Sequence, residues 1–89
     1  MNSQHRRGDP SNPKHVVLPF SGKLVEVLVD AGDSIEAGEV VCVVKQMKME
    51  LEVRSQKGGL VSWVTEADDD EDVGEGMLIA VVEAEGRAK

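Results

Sequence analysis

Val40-Val41-Cys42-Val43-Val44-Lys45-Gln46-Met47-Lys48-Met49-Glu50-Leu51-Glu52-Val53-Arg54 holds two different strand patterns, one after the other. The first five residues are apolar without a break, as in a strand covered on both faces. The last five alternate, as in a strand with one face in water. Between them a lysine stands between two methionines. The whole stretch reads as a β-hairpin with Lys48 at its tip.

The flanks continue the β pattern. Val16 to Leu18 is a short apolar run ended by Pro19, and Leu24 to Val29 is a strand candidate. Asp30-Ala31-Gly32-Asp33 is a turn, and Ser34 to Glu39 reads as a short strand and a second turn. Lys57-Gly58-Gly59 turns again, Leu60 to Val64 is a strand, and Met77 to Val82 closes the series. The acidic stretch around Asp68 to Asp72 is expected to be loop. Helical periodicity is nowhere sustained. The core must come from Val, Leu, Ile and Ala, because the only aromatic residues are Phe20 and Trp63. β-branched side chains pack well on a pleated surface. An all-β fold of short strands, a sandwich or barrel, follows.

An internal repeat shapes that expectation. Shifted by 36 residues, Val17, Gly22, Leu24, Val25, Ala31 and Asp33 meet Val53, Gly58, Leu60, Val61, Ala67 and Asp69, and Leu28 meets Val64. Beyond that the shift becomes 38: Ile35 meets Val73, Gly38 meets Gly76, and Val40 to Val44 meets Leu78 to Val82. The second copy thus gains two residues, placed in the acidic loop. In this alignment Trp63 stands for Val27 and is expected in the core or as a partial lid. Two similar halves suit a pseudo-twofold sandwich. The midpoint between them falls at Lys48 to Met49, which puts the hairpin tip near the axis.

Composition narrows the function. With 89 residues there is room for one small domain. The net charge of −7, with seven acids between Glu66 and Glu75, argues against binding nucleic acid. A lone Cys42 allows no internal disulfide and suits an intracellular, reducing setting. The cytoplasm is the expected compartment. Mitochondrial or other organelle import stays open, although Asp9, Pro10 and Pro13 break any amphipathic helix carrying Arg6 and Arg7. Nothing apolar reaches membrane-spanning length. Residues 1–15 are expected to be a disordered polar tail, 16–83 the folded domain, and 84–89 a short C-terminal tail. His5 and His15 have no Cys or His at ligand spacing, and the acidic run lacks the Gly and spaced ligands of a calcium loop, so no metal site is expected. There is no catalytic Ser/His/Asp or Cys/His set and no phosphate loop, so the chain is expected not to be an enzyme.

These residues resemble the biotinyl/lipoyl attachment domain family, and within it the thumbless biotin carboxyl carrier type. The likeness rests on Met47-Lys48-Met49 after a Val-rich run, on Leu18-Pro19-Phe20-Ser21-Gly22 in place of the family's Ala-Pro-x-x-Gly, and on Asp33, Gly38 and Val40 within its Gly-Asp-x-Val-x-x-Gly-x-x-Leu pattern. It covers roughly Val16 to Glu83. It implies a flattened barrel-sandwich of two four-stranded antiparallel sheets with the lysine on an exposed turn. It also implies that Lys48 receives covalent biotin from a biotin protein ligase, with Met47 and Met49 as flanking recognition residues. The arm would then carry carboxyl between biotin carboxylase and carboxyltransferase partners. Such an isolated domain is expected to be a monomer. Lipoyl acceptors of the family usually have Asp before the lysine and Ala after it, so lipoate on a dehydrogenase or glycine-cleavage carrier is the second reading. An unmodified interaction module is the third. Where the family usually has Glu-Ala before Met-Lys-Met, this chain has Lys45-Gln46. Lys45, off the midpoint and without Met flanks, is read as a surface residue. Met47 and Met49 are expected to be part core, part contact, and Cys42 a buried small hydrophobe.

Overall fold

The computed structural model describes residues 6–84. Eight strands account for its regular structure: β1 (His15–Val17), β2 (Gly22–Val27), β3 (Ser34–Ile35), β4 (Val40–Gln46), β5 (Met49–Arg54), β6 (Gly59–Val64), β7 (Asp72–Val73) and β8 (Leu78–Glu83). They form two antiparallel four-stranded sheets, ordered β1-β8-β6-β3 and β5-β4-β2-β7. Moving each strand on by four turns the first order into the second. The two halves of the chain are therefore related as the repeat implied, and each sheet takes strands from both halves.

The inner faces meet in one core. Leu24, Val41, Cys42, Val44, Ile79, Ala80 and Val82 have no exposed surface. Phe20, Val27, Val64 and Ala67 pack against the cluster from its rim. β4 lies between β5 and β2, and β8 likewise between β1 and β6. The apolar run of β4 is covered on one face and not two: a bulge between Val40 and Cys42 lets Val41 and Cys42 both be buried, with Val44, while Val40 and Val43 are half-buried.

The register corrects the repeat. Val16 faces Ala80 across β1 and β8, and Val53 faces Cys42 across β5 and β4. Val16 thus corresponds to Val53, an offset of 37, not 36. In the same way Leu24 opposite Val44 corresponds to Val61 opposite Val82, and both Leu24 and Val61 are buried whereas Leu60 is 41% exposed. A one-residue slip sends a strand's side chains to the opposite face, so the alignment at 36 turned β6 inside out. The offset is 38 from the next turn onward, so the second copy gains one residue, not two. That turn is also repeated. The Gly32 amide donates to the Val61 carbonyl, and the Asp70 amide donates to the Leu24 carbonyl. Gly32 has φ of 99° and Asp70 has 67°. Asp tolerates this left-handed conformation better than most residues, which is how an acidic run forms a turn without glycine. Asp72, expected in loop, belongs to β7.

Two further expectations change. Trp63 aligns with Glu26, on the outer face, and is half-buried there with the Arg6 guanidinium 4.3 Å from its ring centre. That distance suits a cation–π contact. The polar tail expected over residues 1–15 is not free from Arg6 onward. The Leu78 amide donates to the Arg6 carbonyl at 2.7 Å and the Gly8 amide to the Gly76 carbonyl at 2.8 Å, with Arg7 bridging Met77. The Ser11 hydroxyl and amide both donate to the Asp9 carboxylate, and they hold its pKa below the usual value. His15 already lies in β1. A polar composition speaks against burial, but not against backbone pairing with a free strand. Residues 1–5 and 85–89 of the expected tails, with His5, lie outside the described residues.

Leu24→Ala removes a fully buried side chain between the sheets. Urea unfolding is expected to show a loss of about 2–5 kcal/mol, with Leu60→Ala costing much less although Leu60 looked equivalent in sequence. Burial pushes the Cys42 thiol up to about 12. In the unfolded chain the thiol ionises near its ordinary value of 9.0, so the unfolded state holds fewer protons between those values. Stability is then full below pH 9 and declines as pH rises toward 12. Thermal melts from pH 8 to 11 are expected to show Tm falling more steeply in the parent than in Cys42→Val.

Candidate functional site

The β4–β5 hairpin closes with Gln46 opposite Met49, leaving Met47 and Lys48 as a two-residue turn. Met47 has φ of 57°, and Lys48 is not among the residues with positive φ. Positive φ at only the first central position is the sign pattern of a type II′ turn, whose twist matches that of the flanking strands. Holding a non-glycine residue there costs about 1–2 kcal/mol, which the twelve residues facing each other across β4 and β5 support. The tip is therefore a set shape.

Lys48 is exposed, and its side chain makes no hydrogen bond or ion pair with a described residue. Met47 is 90% exposed and Met49 62%. The expected half-core role of the two methionines does not hold. Met47 sits on the turn itself. Met49 points to the same side as Leu51 and Val53, but exposure drops from Met49 through half-buried Leu51 to Val53 at 5%. The sandwich ends before it reaches Met49.

Three contacts fix the base of the tip. The Gln46 side-chain amide donates to the Ser21 carbonyl at 2.9 Å, tying the hairpin to the segment before β2. Gly22 lets β2 come close, since a Cβ there would meet the Lys45 carbonyl oxygen and the Val44 side chain. Lys23 pairs with Asp72 at 3.0 Å. Together Ser21, Gly22, Lys23, Lys45, Gln46, Met47, Asp72 and Val73 line an open groove of about 600 Å³ beside the turn. Sequence reading did not single out Lys23, Ser21 or Asp72. Alternation with buried Leu24 points Lys23 outward, but only the register sets it opposite Lys45.

Elsewhere the chemistry is sparse. Cys42 is buried with its thiol held protonated, so it is no nucleophile. No group of three or more His, Cys, Asp or Glu suited to a metal ion occurs among the described residues. Among the described residues, Lys48 is the amine that the hairpin carries on its turn, exposed and without an ion pair. It suits a group attached covalently, because nothing competes for the amine and the chain leads away from the sheets.

Comparison with known proteins agrees with the geometry. The biotin-requiring enzyme family matches residues 14–82. Pyruvate carboxylase of Schizosaccharomyces pombe is 44% identical over 45 residues, 51% of this chain and 4% of that protein. The biotin/lipoyl attachment protein of Bacillus subtilis is 36% identical over 55 residues, 62% of this chain and 75% of that protein. Among solved structures, Kluyveromyces lactis urea carboxylase superposes with a TM-score of 0.72 at 25% identity, covering 92% of this chain and 7% of that one. The lipoyl domain of the Azotobacter vinelandii 2-oxoglutarate dehydrogenase complex superposes at 0.61 and 16% identity, covering 75% of this chain and 84% of that one, which speaks for the fold alone. The chain thus spans only a small part of the carboxylases it matches. An all-β sandwich presenting a lysine on its hairpin turn, matched to this family over most of its length, belongs to the biotin-requiring enzyme family as a biotinyl/lipoyl attachment domain.

Proposed function

We propose that this chain is a biotin carboxyl carrier. Its Lys48 accepts biotin from a biotin protein ligase, and the loaded arm moves carboxyl between a biotin carboxylase and a carboxyltransferase. The observation that carries the reading is the lysine alone at the tip of a two-residue turn, flanked by two exposed methionines. Biotin is preferred over lipoate because of those methionines and because the matched relatives include several carboxylases.

The residues have separate tasks. Lys48 Nζ attacks the activated carboxyl carbon of biotin, an amide bond forms, and the activating group leaves with its electron pair. Starting from the ammonium, Nζ sheds two protons in all. A lysine amine is largely protonated near neutrality, so the ligase must supply the base and the activation. Met47 and Met49 offer soft apolar surface on either side of the amine, which a partner's cleft can cover without ordering a loop. Gln46 holds the turn to the Ser21 carbonyl and so fixes where the arm is rooted. When bound, biotin supplies a ureido nitrogen that takes up and releases carboxyl. A rigid root on a mobile domain confines the arm near successive sites at high effective concentration.

The test is intact mass after incubation with biotin, ATP and a biotin ligase. One biotinyl group is expected on the parent and none on Lys48→Arg. An adduct that survives Lys48→Arg, or its absence from the parent, would refute the reading. Lipoylation without biotinylation by the corresponding ligases would select a lipoyl carrier. Neither adduct in the native source, with partner binding that tolerates Lys48→Ala, would select an unmodified interaction module.

A further inference from the structure

A row of four charged residues crosses the outer face of the β5-β4-β2-β7 sheet just below the tip. The register sets Asp72 opposite Lys23, Lys23 opposite Lys45, and Lys45 opposite Glu50. Acids stand at the two ends and two lysines are adjacent in the middle. Like charges directly opposite on neighbouring strands destabilise a sheet. Asp72 neutralises Lys23 at 3.0 Å. Lys45 makes no ion pair with a described residue, although Glu50 faces it, and it is exposed. Lys48 stands three residues further on, also without an ion pair among the described residues. Lys45, Lys23 and Asp72 line the same groove, so a carboxylate already sits in it, held by one of its two lysines.

The chain as a whole has the opposite sign, with a net charge of −7, and six of the seven acids between Glu66 and Glu75 lie outside the row. A negatively charged partner surface is repelled by the net charge of the molecule and attracted locally at the tip, where Lys45 and Lys48 stand without ion pairs among the described residues. Such a pattern orients an encounter as well as speeding it. The patch is strongest before modification, because acylation turns the Lys48 ammonium into a neutral amide. Attraction thus favours the unmodified chain and weakens once the product has formed. This selects the enzyme that meets the unmodified tip over those that meet the loaded one.

We infer that Lys45 is the docking cation for a biotin ligase whose face toward the groove carries carboxylate side chains. The inference rests on the carrier reading above and deepens it. Lys45 acts in encounter and release, and the bond-forming atom remains Lys48 Nζ.

The experiment measures biotinylation rates of the full chain by the biotin ligase of its source organism, at low salt and at about 0.5 M NaCl, where charges beyond a few ångströms are screened. Lys45→Glu is expected to lower kcat/KM about tenfold at low salt, mainly through KM, and the gap is expected to close in high salt. Lys45→Arg should keep the parent rate. Lys57→Glu, in the turn at the opposite end of β5, makes the same change in net charge and should stay near the parent. Lys45→Gln should melt at or above the parent temperature while its rate falls, which separates docking from folding. A Lys45→Glu rate equal to the parent's at low salt overturns the inference, as does a deficit unchanged by salt or matched by Lys57→Glu. An adduct formed at one rate across the series overturns the inference alone. Absence of any adduct on the parent sinks the carrier reading and this inference with it.

Discussion

Neither half of the chain can bury its own valines. Strand β1 pairs with β8 and β4 pairs with both β2 and β5, so each sheet is completed by strands from the other copy. The core closes only when Leu24 and Val44 of one sheet face Val61 and Val82 of the other. A single such layer is thin for a domain this small. Most of what stabilises it must come from the tight fit of fully buried side chains at its centre. Two closely set sheets meeting over valine leave little room for a ring at the centre, and Phe20 packs against the core from its rim. Trp63 is accommodated outside, under Arg6.

The chain passes from one half to the other at the Met47-Lys48 turn. The same closure that buries the valines leaves Lys48 exposed on that turn. Its neighbours on β4 and β5 are held by unbroken pairing from Cys42 opposite Val53 to Gln46 opposite Met49. The Gln46 contact to Ser21 fastens the tip to the neighbouring segment. Lys45-Gln46, where the family usually has Glu-Ala, therefore has two uses in this fold: the glutamine fastens the turn and the lysine charges the groove beside it.

The repeat shows how far pattern matching can be trusted. Identities at an offset of 36 aligned Leu24 with Leu60, and the sheets align Leu24 with Val61. Similar residues on opposite faces of a strand look alike in sequence, because alternation carries no label for inside or outside. The β bulges between Leu24 and Glu26 and between Val61 and Trp63 blur the alternation at the point where it would have decided the matter. At the acidic turn the backbone conformation is repeated without the residue types, with Asp70 at positive φ where the first copy has Gly32.

Sequence patterns were enough to determine the strands other than β7, the twofold plan and the lysine at its midpoint. Runs of valine, turn glycines and the change from continuous to alternating hydrophobicity between Val44 and Glu50 are all short-range signals. What tertiary structure decided depends on residues far apart in the chain. It set Lys23 beside Lys45, brought Asp72 into the groove, exposed both methionines, turned Trp63 outward and bound Arg6 to Gly8 against the start of β8. Each of these rests on register or on backbone hydrogen bonding. Register depends on how two distant strands slide to bury both apolar faces, and backbone groups pair without regard to side chain, so neither is written in the residues that it affects.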